Sequence, residues 1–345
     1  MDRYEHGGRG FEHPGALDFS ANLNPLGMPP CAVQALRAGV ESFAHYPDPA
    51  NGGLRRAIAT FEGVDACQVL ACAGATDALW RLCQVLRPHT ALVCDPCYSG
   101  YEQALEQVGT CVRHLRLDER TGFSAGNELA RALDGYEALF VANPNNPTGR
   151  CLDRETLLAC LRRARRTGAT VVLDECFVDL CDARGSVDLL EEYPNLVVVK
   201  ALTKSFCLAG LRVGYVLCAD ESLMARLEAA GQPWAVSVPA QLAGQVCLGP
   251  EAGHAFLDRS RELVRGERER MSNALCKLGL GVVPSEASFL LFCAPRSLYA
   301  SLLAHGVLVR SCQNYHGLDE RWHRVAVRMP NDNDRLLAAL GEVLR

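Results

Sequence analysis

Short continuous apolar runs alternate along this chain with longer stretches whose apolar residues recur at helical spacing. The runs 91–94, 138–142, 170–173, 196–199 and 212–217 are rich in Val and Leu and nearly free of polar side chains, as strands covered on both faces of a parallel sheet are. Between them, Leu79, Leu82, Cys83 and Leu86 fall at helical intervals and predict one buried face over 76–86. Asp153 as N-cap, a stripe of Leu157, Leu161 and Ala164, and Gly168 as the stop predict a second helix. The arginine doublets at 162–163 and 165–166 fall in its last turns, where cations meet the negative end of the helix dipole. They read as a solvated helix end. The alternation as a whole predicts an α/β architecture with a mainly parallel sheet.

Past about residue 240 the pattern changes. A charged helical stretch over 261–270 precedes strand-like runs at 289–293, 307–310 and 324–327. These predict a smaller α+β C-terminal domain over 241–345, after a large domain over 28–240.

Composition narrows the function classes. A chain of 345 residues suits about two domains; 49% hydrophobic and 22% charged residues describe a folded globular protein. With 35 Lys and Arg against 40 Asp and Glu, the basic face of a nucleic-acid binder is not expected. The apolar runs are far shorter than the roughly 20 residues of a membrane span. The polar start Met1-Asp2-Arg3-Tyr4-Glu5-His6-Gly7-Gly8 lacks the apolar stretch of a secretory signal, which points to a cytoplasmic protein. The 17 cysteines are odd in number and scattered through apolar segments, which fits a reducing compartment. Cys94 and Cys97 have metal-like spacing but no second Cys or His pair in sequence, so no metal is expected.

Candidate chemistry clusters after the strand ends, the edge where open parallel sheets bind ligands. The segments are Gly74-Ala75-Thr76, Asp95-Pro96-Cys97-Tyr98, Asn143-Pro144-Asn145-Asn146-Pro147-Thr148-Gly149, Asp174-Glu175 and Thr203-Lys204. Gly74-Ala75-Thr76 opens a helix, whose free N–H groups can cradle a phosphate. Lys204 follows a buried strand among small and apolar neighbours; desolvation lowers a lysine pKa and makes the amine a nucleophile able to form Schiff bases. Read alone, Lys204 is more readily an exposed loop lysine.

Read together, the Asn-Pro-Asn-Asn-Pro-Thr-Gly run, the Val-Val-Leu-Asp-Glu strand end, and Lys204 followed eight residues later by Arg212 in Gly210-Leu211-Arg212-Val213-Gly214 resemble the fold type I pyridoxal phosphate enzymes. The resemblance extends over nearly the whole chain and is greatest to the histidinol-phosphate aminotransferase branch. It implies a seven-stranded sheet in the large domain and an N-terminal arm, 1–27, shared between substrate site and small domain. It makes Lys204 the amine that holds pyridoxal 5'-phosphate and Asp174 the partner of its pyridine nitrogen. Asn146 would bond the ring hydroxyl, Tyr98 would stack on the ring, and Gly74, Ala75, Thr76, Thr203 and Arg212 would hold the cofactor phosphate. Tyr46 would reach the cofactor phosphate of a neighbouring subunit, implying a homodimer with shared active sites.

Three features separate this chain from plain aminotransferases. Phe177 stands where those enzymes carry a tyrosine beside the cofactor. His6-Gly7-Gly8, with Asp18 to Gly27 after it, resembles the opening of the L-threonine O-phosphate decarboxylases of cobalamin biosynthesis. The run 309–328 resembles the same enzymes and brings three guanidiniums close in sequence, the side chain suited to phosphate and carboxylate. That resemblance implies substrate contacts from His6, Asn24 and Asn146, with Arg324 on the carboxylate and Arg310 and Arg328 on substrate anions. The implied product is (R)-1-amino-2-propanol O-2-phosphate; histidinol-phosphate transamination is the alternative.

Overall fold

Every residue of 138–142 and of 196–201 is buried, and a segment with no polar face needs cover on both sides. In the computed structural model, which describes residues 6–345, that cover is provided by two layers of helix around one sheet. The strands are β1 (Leu17–Asp18), β2 (Val69–Cys72), β3 (Thr90–Asp95), β4 (Cys111–Arg116), β5 (Ala138–Ala142), β6 (Thr170–Asp174), β7 (Leu196–Ala201), β8 (Gly214–Leu217), β9 (Gly281–Val282), β10 (Phe289–Cys293), β11 (Val307–Leu308), β12 (Arg310–Ser311) and β13 (Trp322–Ala326). The helices are α1 (Pro30–Ala38), α2 (Gly52–Glu62), α3 (Gly74–Leu86), α4 (Gly100–Glu106), α5 (Asn127–Ala132), α6 (Arg154–Thr167), α7 (Leu202–Ser205), α8 (Glu221–Ala229), α9 (Val238–Cys247), α10 (Pro250–Lys277), α11 (Tyr299–Ala304) and α12 (Pro330–Val343). Residues 1–5, the start of the expected arm, lie outside the described residues. No helix among the described residues is long and apolar enough to cross a membrane.

The large sheet has seven strands in the order β2-β8-β7-β6-β5-β3-β4. Strand alternation divides its side chains between two cores: Leu139 and Val141 point to one, with α2, α6 and α9, and Phe140 and Ala142 to the other, with α3, α4 and α8. The sheet is mainly parallel, but β8 runs antiparallel to both β2 and β7. The strand expected over 212–217 begins only at Gly214, because Arg212 has turned into the left-handed region at φ 57°. Helix α6 starts and stops where the pattern placed it: Asp153 accepts from the Thr156 amide at 2.8 Å, and Gly168 ends it at φ 77°.

The N-terminal arm and the C-terminal segment share a third core. β1 pairs in parallel with β11, and Phe19 is buried with Leu290, Phe292, Val325 and Leu336. The run expected as one strand over 307–310 is two, since β11 pairs with β1 and β12 with β13. The strand expected over 324–327 starts earlier, at Trp322. The changeover between cores also comes later than residue 240. Phe256 and Leu257 still pack in the large-sheet core, whereas Met271 and Leu275 belong to the C-terminal one, so it falls inside α10.

Gly214 makes a tight backbone crossing between β8 and the start of α3. A Cβ there would lie 2.8 Å from the amide nitrogen of Ala75, the carbonyl carbon of Gly74 and the carbonyl oxygen of Lys200. All three are backbone atoms that cannot step aside. Gly214→Ala should therefore cost about 1–3 kcal/mol in thermal or denaturant unfolding, the range of overpacking, and should push the first turn of α3 away from β8. Gly210→Ala, with open space around its Cβ position among the described residues, should leave unfolding within about 0.5 kcal/mol of the parent.

Candidate active site

A cleft of about 480 Å³ opens at the edge of the large sheet where β6 and β7 end, lined by residues from the arm, the sheet and the C-terminal segment. Lys204 reaches it from α7, one turn after β7. Its amine is buried, and its pKa falls to about 8: burial is the main cause, with the positive charges of Arg324 and Arg212 adding to it. Lys200, four residues earlier, has the opposite fate. Burial opposes its charge too, but Asp179 at 2.8 Å and Glu62 at 2.7 Å outweigh that and raise its pKa well above the usual lysine range. Lys204 is thus the lysine prepared as a nucleophile.

Asp174, the last residue of β6, faces the same cleft. Its Oδ2 accepts from the Tyr101 hydroxyl at 2.7 Å and its Oδ1 from the Cys176 amide at 3.0 Å, so the carboxylate is fixed in orientation. Sequence reading missed Tyr101. Its only signal was its place on the helix that follows Tyr98. Tyr98 lines the cleft edge-on to Tyr101, with ring centroids 5.4 Å apart.

The first turn of α3 and Arg212 form a candidate anion cradle. Ala75, Thr76, Thr203 and Arg212 all line the cleft. Gly74 sits at φ +86°, and a Cβ there would come within 2.9 Å of the Arg212 guanidinium, so glycine is what lets Arg212 lie against the helix start. Positive side chain and free helix amides together suit a phosphate.

Opposite this cradle, Asn146 accepts at Oδ1 from Arg324 Nη1 and from the Tyr315 hydroxyl. Arg324 also donates from Nη2 to the Ser20 carbonyl at 2.8 Å; its buried Nε has no hydrogen-bond partner among the described residues. Phe177 lies under Lys204, with the amine 5.8 Å from its ring centre. His6 stacks obliquely near Tyr98 at 5.3 Å. Gly7 and Gly8 carry that segment in. A Cβ on Gly7 would collide with the Ser20 carbonyl at 2.3 Å, while Gly8, at φ +85°, donates its amide to Ser20 Oγ at 2.8 Å.

Besides Gly74, which sits behind the Arg212 guanidinium, four sequence candidates do not line the cleft. Asn24 is spent on structure: its amide donates to the Ser205 carbonyl and Ser260 Oγ, and its oxygen accepts from the Leu26 amide. Asn22 lies in the cleft instead, buried, with neither amide atom hydrogen-bonded among the described residues. Arg310 is the cross-strand neighbour of Arg324, but its guanidinium rests over the Tyr315 ring and donates to Asn314. Arg328 is tied to Asp332 and to the Asp18 carbonyl. Of the three guanidiniums expected on substrate anions, only Arg324 faces the cleft. Tyr46 is 80% exposed and stacks on Trp234 at 4.8 Å.

A buried reactive lysine, an oriented aspartate and a helix-start phosphate cradle at the end of a mainly parallel sheet are the parts of a pyridoxal phosphate site, and the residues present fit that cofactor. The sequence profile of the family Aminotransferase class I and II matches residues 14–340, and the chain belongs to this family. It is 37% identical over 334 residues to a threonine-phosphate decarboxylase of Salmonella typhimurium, covering 95% of this chain and 91% of that one. Two solved structures share the fold. The histidinol-phosphate aminotransferase from Clostridium acetobutylicum superposes with a TM-score of 0.89 at 27% identity, over 95% of this chain and 99% of that one. The L-threonine-O-3-phosphate decarboxylase from Porphyromonas gingivalis does so with 0.83 at 26% identity, over 93% and 97%.

The lowered pKa of Lys204 has a measurable consequence. Only the uncharged amine attacks an aldehyde, so the rate at which cofactor-free protein takes up pyridoxal phosphate should rise with pH to a plateau above a midpoint near 8, rather than climbing toward 10.5. Arg324→Gln removes a neighbouring positive charge, and the midpoint should move up. An unshifted midpoint, followed by absorbance, would remove Arg324 from the electrostatics of the lysine.

Proposed function

We propose that this chain is a pyridoxal phosphate-dependent carboxy-lyase that converts L-threonine O-3-phosphate to (R)-1-amino-2-propanol O-2-phosphate and carbon dioxide in cobalamin biosynthesis. The observation that carries the reading is the entry of His6-Gly7-Gly8 into the cleft beside Tyr98, in a chain whose sequence runs alongside a threonine-phosphate decarboxylase for 95% of its length.

When bound, the cofactor supplies an electron sink for the pair left as a bond to the substrate Cα breaks. The chain decides which bond that is by holding the other groups. Lys204 would carry the cofactor, Asp174 would keep its ring nitrogen protonated, and Arg212 with the α3 start would hold its phosphate. Asn146 would bond the ring hydroxyl and Tyr98 stack on the ring. Arg324, oriented by Asn146 and Ser20 and lining the cleft, would bind the substrate carboxylate. His6 and Asn22 would meet the substrate phosphate end. Lys204, with a pKa near 8, can hold a proton and deliver it to Cα once carbon dioxide has left.

A cytoplasmic homodimer is part of the same proposal. The exposed Tyr46 and Trp234 pair, with Val40 and Phe43 also exposed, supplies apolar surface for a second copy, whose cofactor phosphate Tyr46 would reach. All 17 cysteines are free, as a reducing compartment requires. Histidinol-phosphate transamination remains the second reading, favoured by the fold match to that aminotransferase.

The two readings separate in one assay. L-Threonine O-3-phosphate should yield carbon dioxide and the amino alcohol phosphate, and histidinol phosphate with 2-oxoglutarate should yield no glutamate; the reverse result makes the chain an aminotransferase. His6→Ala should raise KM about tenfold or more with a smaller change in kcat, as loss of a ground-state phosphate contact does.

Phe177 supplies a separate check. A phenol introduced there could donate to the ring oxygen of the bound cofactor and favour loss of a proton, so the visible titration of cofactor-loaded Phe177→Tyr should move to lower pH than the parent. A coincident titration would place Phe177 away from the cofactor.

A further inference from the structure

Beside the cleft, four side chains from distant parts of the chain converge on one point. Asp95 ends β3, Glu102 lies on α4, His114 on β4, and His316 in the segment after β12. His114 Nδ1 is 2.8 Å from Asp95 Oδ2, and His316 Nδ1 is 3.3 Å from the same oxygen. The far nitrogens of both rings turn to Glu102: His114 Nε2 is 3.2 Å from Oε1 and His316 Nε2 is 3.8 Å from Oε2. One donor atom from each of Asp95, His114 and His316 lies within 4.8 Å of the other two.

Two observations set this cluster apart from an ordinary ion pair. Asp95 is only 4% exposed, and its Oδ2 and His114 Nδ1 are both shut from solvent without a hydrogen-bond partner among the described residues. At 2.8 Å they are close enough to bond, yet they do not meet along a hydrogen-bond direction. Donors sharing one coordination sphere behave this way. A metal ion about 2.0–2.2 Å from nitrogen and oxygen donors holds them about 2.9–3.5 Å apart, close to the separations found. Glu102 stands where an outer carboxylate fixes the tautomer of a ligating histidine through its second nitrogen.

We propose that Asp95, His114 and His316 bind one divalent transition-metal ion of the zinc class, with Glu102 orienting both imidazoles. Two imidazoles and one carboxylate suit such an ion better than magnesium or calcium, which take oxygen ligands. The histidine side chains are 24% and 36% exposed, which leaves a side open for water as a further ligand. Cys97 is not a ligand: its Sγ is turned to Asp95 Oδ1, to which it donates at 3.7 Å. The sequence showed no such site because its donors are far apart in the chain.

The ion would clasp the segment after β12 to the edge of the large sheet. His316 adjoins Tyr315, which donates to Asn146, and Glu102 adjoins Tyr101, which donates to Asp174. The clasp would therefore order two side chains of the cleft wall without touching substrate.

The test uses cofactor-loaded protein stripped with a chelator and then dialysed against cobalt(II) alone. The parent should retain one equivalent per chain that is lost in both His114→Asn and His316→Asn, with visible d–d absorption to the red of the pyridoxal band and no thiolate charge-transfer band. Cobalt should also raise the thermal midpoint of the parent and not of the variants. Failure of the parent to retain cobalt, equal retention by folded variants, or a thiolate band in the parent would each overturn the proposal. Because the parent's stoichiometry and spectrum are decisive alone, the test survives a variant that does not fold. It also stands apart from the substrate assay, since metal binding is read without turnover.

Discussion

Two lysines four residues apart show the constraint on which the rest of this site depends. Lys200 is buried and Lys204 largely so, and the loss of water alone drives both toward the neutral form. Lys200 escapes because Glu62 and Asp179 lie within 3 Å of it. Lys204 does not: burial and then the like charges of Arg324 and Arg212 lower its pKa, and Asp174 offsets them only in part. The same arginines are the groups that can hold anions in the cleft. One electrostatic arrangement thus keeps the amine reactive and prepares the site for a phosphorylated, carboxylated ligand.

The arrangement needs both ends of the chain. Arg324 comes from β13, yet its hydrogen bonds go to Asn146 after β5 and to Ser20 in the arm. Ser20 in turn accepts the amide of Gly8, which brings His6 to Tyr98. The two glycines of that segment are there because a side chain at the first would enter the Ser20 carbonyl and the second has a positive φ. Arm, sheet and C-terminal segment therefore close one polar network over the cleft, and the proposed metal clasp would brace it from outside.

The buried strands were legible because each is an apolar run with no polar face, and such a run has few alternatives to the middle of a covered sheet. β4 was not, because it lies at the sheet edge and alternates exposed polar residues in Cys-Val-Arg-His-Leu-Arg. β2 was missed as a four-residue run directly before the α3 turn. The reversal of β8 was equally hidden, since strand direction leaves no mark in composition. In the site, Gly74, Asp174, Lys204 and Arg212 could be named from motif and spacing. Asn22 and Tyr101 could not, and Asn24, Arg310 and Arg328, which the family resemblance implied, are held by Ser205, Asn314 and Asp332 instead.

By itself, then, the sequence determined the layers, the family resemblance and the residue types that the chemistry requires, because these follow from local periodicity and from motifs short enough to keep their meaning. Only the tertiary structure decided which lysine has its pKa lowered, which of three arginines faces the cleft, and that Asp95, His114 and His316 stand together. Those outcomes depend on contacts between residues up to 310 positions apart, and the folding that sets such distances is recorded in no local stretch of chain.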